Sequence, residues 1–131
     1  MILKREFTFD AAHFLPDYHG KCERLHGHTY RGALYIEGAP DKEGMVMDFV
    51  ELQELIREKI LSKLDHACLN DIIRQPSAEY IALWIWREIS PFINDGARAL
   101  KYVQVWESSK SSVLIDEKDF KDFCDRLEAL S

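Results

Sequence analysis

Residues 2–10 alternate between apolar and polar positions, with Phe7 and Phe9 on one face, and this period of two predicts a strand. Residues 11–27 contain Pro16, Asp17 and Gly20 and read as a loop. Alternation returns over residues 28–37, where Tyr30, Leu34 and Ile36 share one side, and residues 38–44 end this second strand. The period then lengthens. Asp48 with Glu51 three positions on has the form of a capping box, and Phe49, Leu52, Leu55, Ile56 and Ile60 follow at helical spacing, predicting a helix to about Lys63. Pro76 and Ser77 introduce a second helix with Ile81, Trp84, Ile85 and Ile89 facing inward. Residues 101–107 and 112–115 predict two more strands around a Ser/Lys turn, and Asp116 caps a third helix carrying Phe120, Phe123, Cys124, Leu127 and Leu130. The order β-β-α-α-β-β-α implies an α+β fold with an antiparallel sheet. Its helices can cover one face only, so the other face is expected to meet a partner subunit.

Composition narrows the function. With 131 residues and 47% hydrophobic content, residues 1–131 are expected to form one domain with its own core. Lys and Arg number 17 against 23 Asp and Glu, a net charge of −6, which argues against a nucleic-acid binder or a basic membrane-surface domain. No apolar run approaches the roughly 20 residues that span a bilayer, and the first residues lack the pattern of a secretory signal. Three cysteines cannot close a disulfide framework, so a reducing, cytoplasmic setting is expected.

The densest chemistry lies in Cys22-Glu23-Arg24-Leu25-His26-Gly27-His28, with His13 upstream. Where His26 and His28 enter the second strand, the two-residue period turns both imidazoles to one face. Gly27 leaves the opposite face without a side chain, so backbone or ligand can come close there. His13 leaves the end of the first strand and reaches the same place if the two strands pair. A His-x-His pair shares a face in any strand. Three neutral imidazoles with an open fourth position, however, are the arrangement of a catalytic zinc site, and His13, His26 and His28 are the candidate Zn2+ ligands. Cys22 is either a fourth ligand of a structural site or a reactive thiol whose titration a nearby cation lowers. His19 reads as a surface residue of a polar loop, and Cys68 and Cys124 as buried packing residues.

Two acids stand apart. On composition alone, Asp65 and His66 are an ordinary helix-terminus pair, the histidine complementing the helix dipole. Glu107 continues the apolar stripe of Val103 and Val105. Either that strand has reached solvent, or the carboxylate receives two parallel N–H bonds from an amidine-like ligand edge.

Together these elements resemble the 6-pyruvoyl-tetrahydropterin synthase and 6-carboxytetrahydropterin synthase superfamily. The marks are F-x-A-A-H ending at His13, C-x-x-x-H-G-H from Cys22 to His28, M-D-F from Met47, L-D-H-x-x-L-N from Leu64, P-S-A-E from Pro76 and V-W-E-S ending at Ser108. The resemblance implies the tunnelling fold, an antiparallel four-stranded sheet with two helices on one face (β-β-α-α-β-β), here with an added C-terminal helix. Its subunits associate through their sheets into a barrel, usually a homohexamer made as a dimer of trimers. It also implies that His13, His26 and His28 hold zinc, that Cys22, Asp65 and His66 move protons, and that Glu107 anchors a pterin ring. The proton-transfer group and the metal then assemble near a subunit interface.

The implied substrate is 7,8-dihydroneopterin triphosphate, a small-molecule pterin. The three residues between Cys22 and His26 match the branch that releases acetaldehyde and triphosphate and forms 6-carboxy-5,6,7,8-tetrahydropterin on the way to queuosine. Glu23 also matches the E-x-x-H-G-H mark of a folate-branch variant making a 6-hydroxymethyl pterin, and the 6-pyruvoyl product is the further alternative. Two readings from other classes compete: a zinc hydrolase, which leaves Cys22, Asp65, His66 and Glu107 unexplained, and a zinc-stabilised scaffold with Cys22 as fourth ligand.

Overall fold

The computed structural model describes residues 1–19 and 24–129. Its centre is a five-stranded sheet in the order β3-β1-β2-β4-β5. The expected four antiparallel strands are β1 (Ile2–His13), β2 (His26–Gly38), β4 (Arg98–Trp106) and β5 (Ser112–Ile115). The fifth, β3 (Ala67–Cys68), lies parallel to β1 at the sheet edge, pairing Ala11 with Ala67 and Ala12 with Cys68. Two residues carry no readable periodicity, so the sequence pattern did not announce this strand.

Both long strands extend further than alternation alone predicts. β1 runs on through Ala11, Ala12 and His13, and β2 begins at His26 rather than His28. Cross-strand pairing supplies the difference. Ala11 pairs with His28, Ala12 with Gly27 and His13 with His26, so each extension satisfies the backbone groups of the other. β4 starts at Arg98, earlier than expected, because the Asp95 carboxylate accepts the N–H groups of Ala97 and Arg98 and turns the chain into the strand, with Gly96 at φ +89°.

The helices follow their sequence signals. The Asp48 carboxylate accepts the Val50 N–H at 2.8 Å and caps α1 (Phe49–Ile56), and the Ser77 hydroxyl accepts the Tyr80 N–H at the start of α3 (Ala78–Ile93). Between α1 and α2 (Ser62–Leu64) the chain forms a π-helical turn over Arg57–Leu61. The apolar spacing explains it. Leu52, Ile56, Ile60 and Leu64 are all buried, each four residues after the last, and in an ideal α-helix each such step overshoots the face by about 40°. The wider turn takes back that drift and keeps one buried stripe from Leu52 to Leu64.

One face of the sheet is core. Phe7, Phe9 and Ala11 of β1, Tyr30, Leu34 and Ile36 of β2, and Val103 and Val105 of β4 are buried against Ile81, Trp84, Ile85 and Ile89 of α3 and the stripe of α1 and α2. On the other face Lys4, Glu6, Thr8, Asp10 and Arg31 are exposed. Arg31 stands 4.0 Å over the Trp106 ring with its Nε 3.3 Å from Glu6, and Lys4 lies 5.6 Å from the Tyr35 ring.

The last helix, α4 (Glu117–Ala129), departs from expectation. Phe120 stacks on Trp86 at 6.1 Å and Leu127 is buried, yet Phe123 is exposed and Cys124 only half-buried. The helix packs against α3, β4 and β5 through Phe120 and Leu127, while Phe123 lines an open groove with Tyr80 and Leu114. Leu130 lies outside the described residues. Cys68 is likewise half-buried, because β3 is an edge strand with no strand beyond it.

Gly32 lies opposite Phe7 on the core face, and a Cβ built there would stand 2.3 Å from the Phe7 ring. Gly32→Ala is therefore expected to destabilise the fold by about 1–3 kcal/mol through overpacking, read as a lowered urea midpoint at unchanged slope.

Candidate active site

The strand pairing decides the first group. His13 pairs with His26, and His28 is opposite Ala11, so the alternation of two antiparallel strands brings three imidazoles to the core face at one end of the sheet. Their ring centroids are 4.7 to 5.1 Å apart. Below them the Tyr30 ring packs edge-on against His13 and His28 and is itself stacked on Phe9 at 5.0 Å. Glu107 follows β4 on the Val103–Val105 face. One of its carboxylate oxygens and one nitrogen from each of the three histidines all lie within 4.8 Å of one another.

Neighbouring carbonyls set the direction of two rings. His13 Nδ1–H donates to the Pro76 carbonyl at 2.8 Å and His26 Nδ1–H to the Arg24 carbonyl at 2.7 Å. Each bond fixes the tautomer and leaves the Nε2 lone pair free. The Nε2 atoms of His13 and His28 are buried without a hydrogen-bond partner. His28 Nε2 is 3.3 Å from Glu107 Oε1, close enough for charge interaction but without hydrogen-bond geometry. Burial pushes the His28 pKa down, Glu107 opposes the shift, and His13 and His26 add to it. Convergent imidazole nitrogens, those of His13 and His28 buried and unsatisfied, fit a divalent transition metal, because the ion supplies the partner that buried nitrogens lack.

A second group lies on the other face of β1. Asp65 ends α2 in extended geometry, and His66 follows at φ +58°, a left-handed conformation that costs a non-glycine residue roughly 1 kcal/mol or more. Asp65 Oδ1 accepts the Asp10 N–H at 3.0 Å, and the His66 N–H donates to the Asp10 carbonyl at 2.7 Å. Asp65 Oδ2 stands 3.1 Å from His66 Nδ1. His66 thus addresses carboxylates rather than the helix end that composition alone suggested.

Asp10 was missed in the sequence, although alternation in F-D-A-A-H turns it to the face opposite His13. Its carboxylate, Asp65 and His66 form a second cluster within 4.8 Å. An open groove of about 600 Å³ runs beside it, lined by Asp10, Gly27, His28, Thr29, His66 and Cys68. Within one chain the Asp10 side chain that this pair joins faces away from His13, while His66 and His28 both line the groove. Cys22, the third expected proton carrier, lies outside the described residues, as does Glu23.

The model of the family described as 6-pyruvoyl tetrahydropterin synthase matches residues 2–118. The chain belongs to that family. It is 38% identical over 118 residues to the 6-carboxy-5,6,7,8-tetrahydropterin synthase of Synechocystis, covering 85% of this chain and 89% of the relative. It is also 37% identical over 109 residues to the dihydroneopterin monophosphate aldolase of Pyrococcus furiosus, covering 83% and 91%. Among solved structures, Caenorhabditis elegans 6-pyruvoyl tetrahydropterin synthase superposes with a TM-score of 0.79 at 22% identity, covering 88% of this chain and 94% of that one. The tunnelling fold of the family is therefore the fold of this chain. The family match stops in the first turn of α4, so nearly all of that helix lies beyond it.

Two predictions follow from the geometry. His28→Ala is expected to weaken metal binding by more than the about 10–100-fold lost when an outer-shell partner is removed, whereas Glu107→Gln retains full metal stoichiometry, both read by metal analysis after dialysis. The Asp65 pKa is lowered, chiefly by the Asp10 N–H bond. A carboxylate depressed in the folded state stabilises above its unfolded value, and the effect disappears as pH falls through the folded one. Urea midpoints of wild type and Asp65→Asn should therefore differ at pH 6 and converge below about pH 3.8.

Proposed function

We propose that this chain is a zinc-dependent lyase. It converts 7,8-dihydroneopterin triphosphate and water to 6-carboxy-5,6,7,8-tetrahydropterin, acetaldehyde and triphosphate, in the route to queuosine and related deazapurines. One observation carries the reading: buried, unpartnered imidazole nitrogens converge beside Glu107 in a chain 38% identical to a relative named for that product. His13, His26 and His28 hold the metal. Zinc, when bound, supplies Lewis acidity that makes the C–H and O–H bonds of a vicinal diol more acidic.

The protein's own groups do the rest. The Glu107 carboxylate accepts N–H bonds from the amidine-like edge of the pterin and orients the ring. The Cys22 thiolate moves protons between the side chain and the ring, and His66, oriented by Asp65, supplies and removes protons at the side-chain oxygens. Because Asp65 and His66 join Asp10, whose side chain faces away from His13, the Asp65–His66 pair serves the metal group of a neighbouring subunit. That requirement supports association of the sheets into a barrel, as a homohexamer, and no helix among the described residues is long and apolar enough to cross a membrane.

A second reading has its own support. Similarity to the Pyrococcus furiosus aldolase, with Glu23 in E-x-x-H-G-H, favours side-chain cleavage to a 6-hydroxymethyl pterin. Mass spectrometry of the products decides. Acetaldehyde with 6-carboxytetrahydropterin supports the first reading; a 6-hydroxymethyl or 6-pyruvoyl pterin removes it while keeping the site. Cys22→Ala is expected to lower turnover by about 100-fold or more while retaining zinc, a pattern that neither a zinc hydrolase nor a Cys22-ligated scaffold produces.

A further inference from the structure

His66 is more exposed than Asp65, its side chain 80% accessible, and an imidazole held by one carboxylate at that exposure is free to swing. We propose that Asp10 is the positioning residue for His66, with Thr29 orienting Asp10. The inference rests on the lyase reading for its consequence in turnover, but not for its geometry.

The observations form a chain of contacts. The Thr29 hydroxyl donates to Asp10 Oδ1 at 2.6 Å across the β1–β2 pair, where Asp10 and Thr29 are directly opposite. That bond locks the Asp10 side chain over the outer face of the sheet. The Asp10 main chain grips both residues of the pair, its N–H on the Asp65 carboxylate and its carbonyl on the His66 N–H. These bonds, together with β3 pairing just beyond, hold His66 in its left-handed backbone conformation. The Asp10 carboxylate then lies within 4.8 Å of both the Asp65 oxygen and the His66 nitrogen, so the ring has a carboxylate neighbour from β1 as well as from its own segment. No other histidine, cysteine or acidic residue joins that cluster among the described residues. Asp10 acts through His66, narrowing the orientations and tautomers the ring samples, and does not itself touch the substrate.

The test compares Asp10→Asn, Thr29→Val and the double variant. Asp10→Asn keeps the main-chain bonds and the side-chain shape and removes only the charge. The expected result is a fall in kcat of about tenfold with KM and zinc content unchanged, a fall of about threefold for Thr29→Val, and a double variant no slower than Asp10→Asn alone, because the threonine acts through the aspartate. The second readout is nitrogen-15 NMR of labelled histidine, which reports the His66 tautomers in the zinc-loaded protein without substrate. Redistribution of those tautomers in Asp10→Asn supports the proposal even if the wild type turns over no dihydroneopterin triphosphate, a failure that removes the lyase reading instead. Wild-type kcat in Asp10→Asn, losses that multiply in the double variant, or an unchanged His66 spectrum would overturn it.

Discussion

The antiparallel register between β1 and β2, unbroken from the Ile2–Glu37 pair to the His13–His26 pair, is the constraint on which the rest of the molecule hangs. A slip of one residue along either strand would turn its inward positions outward. Phe7 and Phe9 hold the register from the core, because each must remain under the helices, and Gly32 opposite Phe7 leaves room for that ring and for no added methyl group. The same parity that buries the phenylalanines sends Ala11 and His13 inward and Asp10 and Ala12 outward. Core packing near Phe9 therefore aims the His13 imidazole into the candidate metal group, with Tyr30 joining the two through its contacts with Phe9 and the imidazoles. Stability and chemistry share one hydrophobic wedge.

That shared strand also divides the chemistry. Its inner face presents nitrogens for a metal, and its outer face and edge receive Asp65 and His66. The second pair arrives by a different route, along the helical stretch from Asp48 to Leu64. The π turn keeps the apolar residues of that stretch on one buried face, so Leu64 is packed where the helix ends and Asp65 emerges at the edge of β1. His66 pays for its strained backbone through hydrogen bonds to Asp10 rather than through burial, which leaves the imidazole accessible. The proton-transfer role proposed for His66 needs that combination of fixed backbone and open side chain.

Much of this was legible from residue order. The alternation around Phe7, Phe9, Tyr30, Leu34 and Ile36 and the caps at Asp48 and Ser77 translate directly into structure, because period and capping are local properties of the chain. His26 and His28 were legible as sharing one face for the same reason, an x between two strand residues, whereas His13 joins them only through the pairing of β1 with β2. Cys124 and Phe123 read as core from helical spacing, yet burial depends on which side chains the neighbouring elements place over each position, and helical period carries no record of that.

What the sequence determined by itself was the identity of the elements and the chemical types available at their ends. Only the tertiary structure decided which ends meet. The extension of β1 to His13, the two-residue β3, the Pro76 and Arg24 carbonyls that direct the imidazoles, and the role of Asp10 beneath His66 all arise from pairing between residues 2 to 63 positions apart. Such contacts leave no period in the chain. They are selected by the need to satisfy backbone groups at a strand edge and buried ring nitrogens in the core, and that need exists only once the sheet has formed.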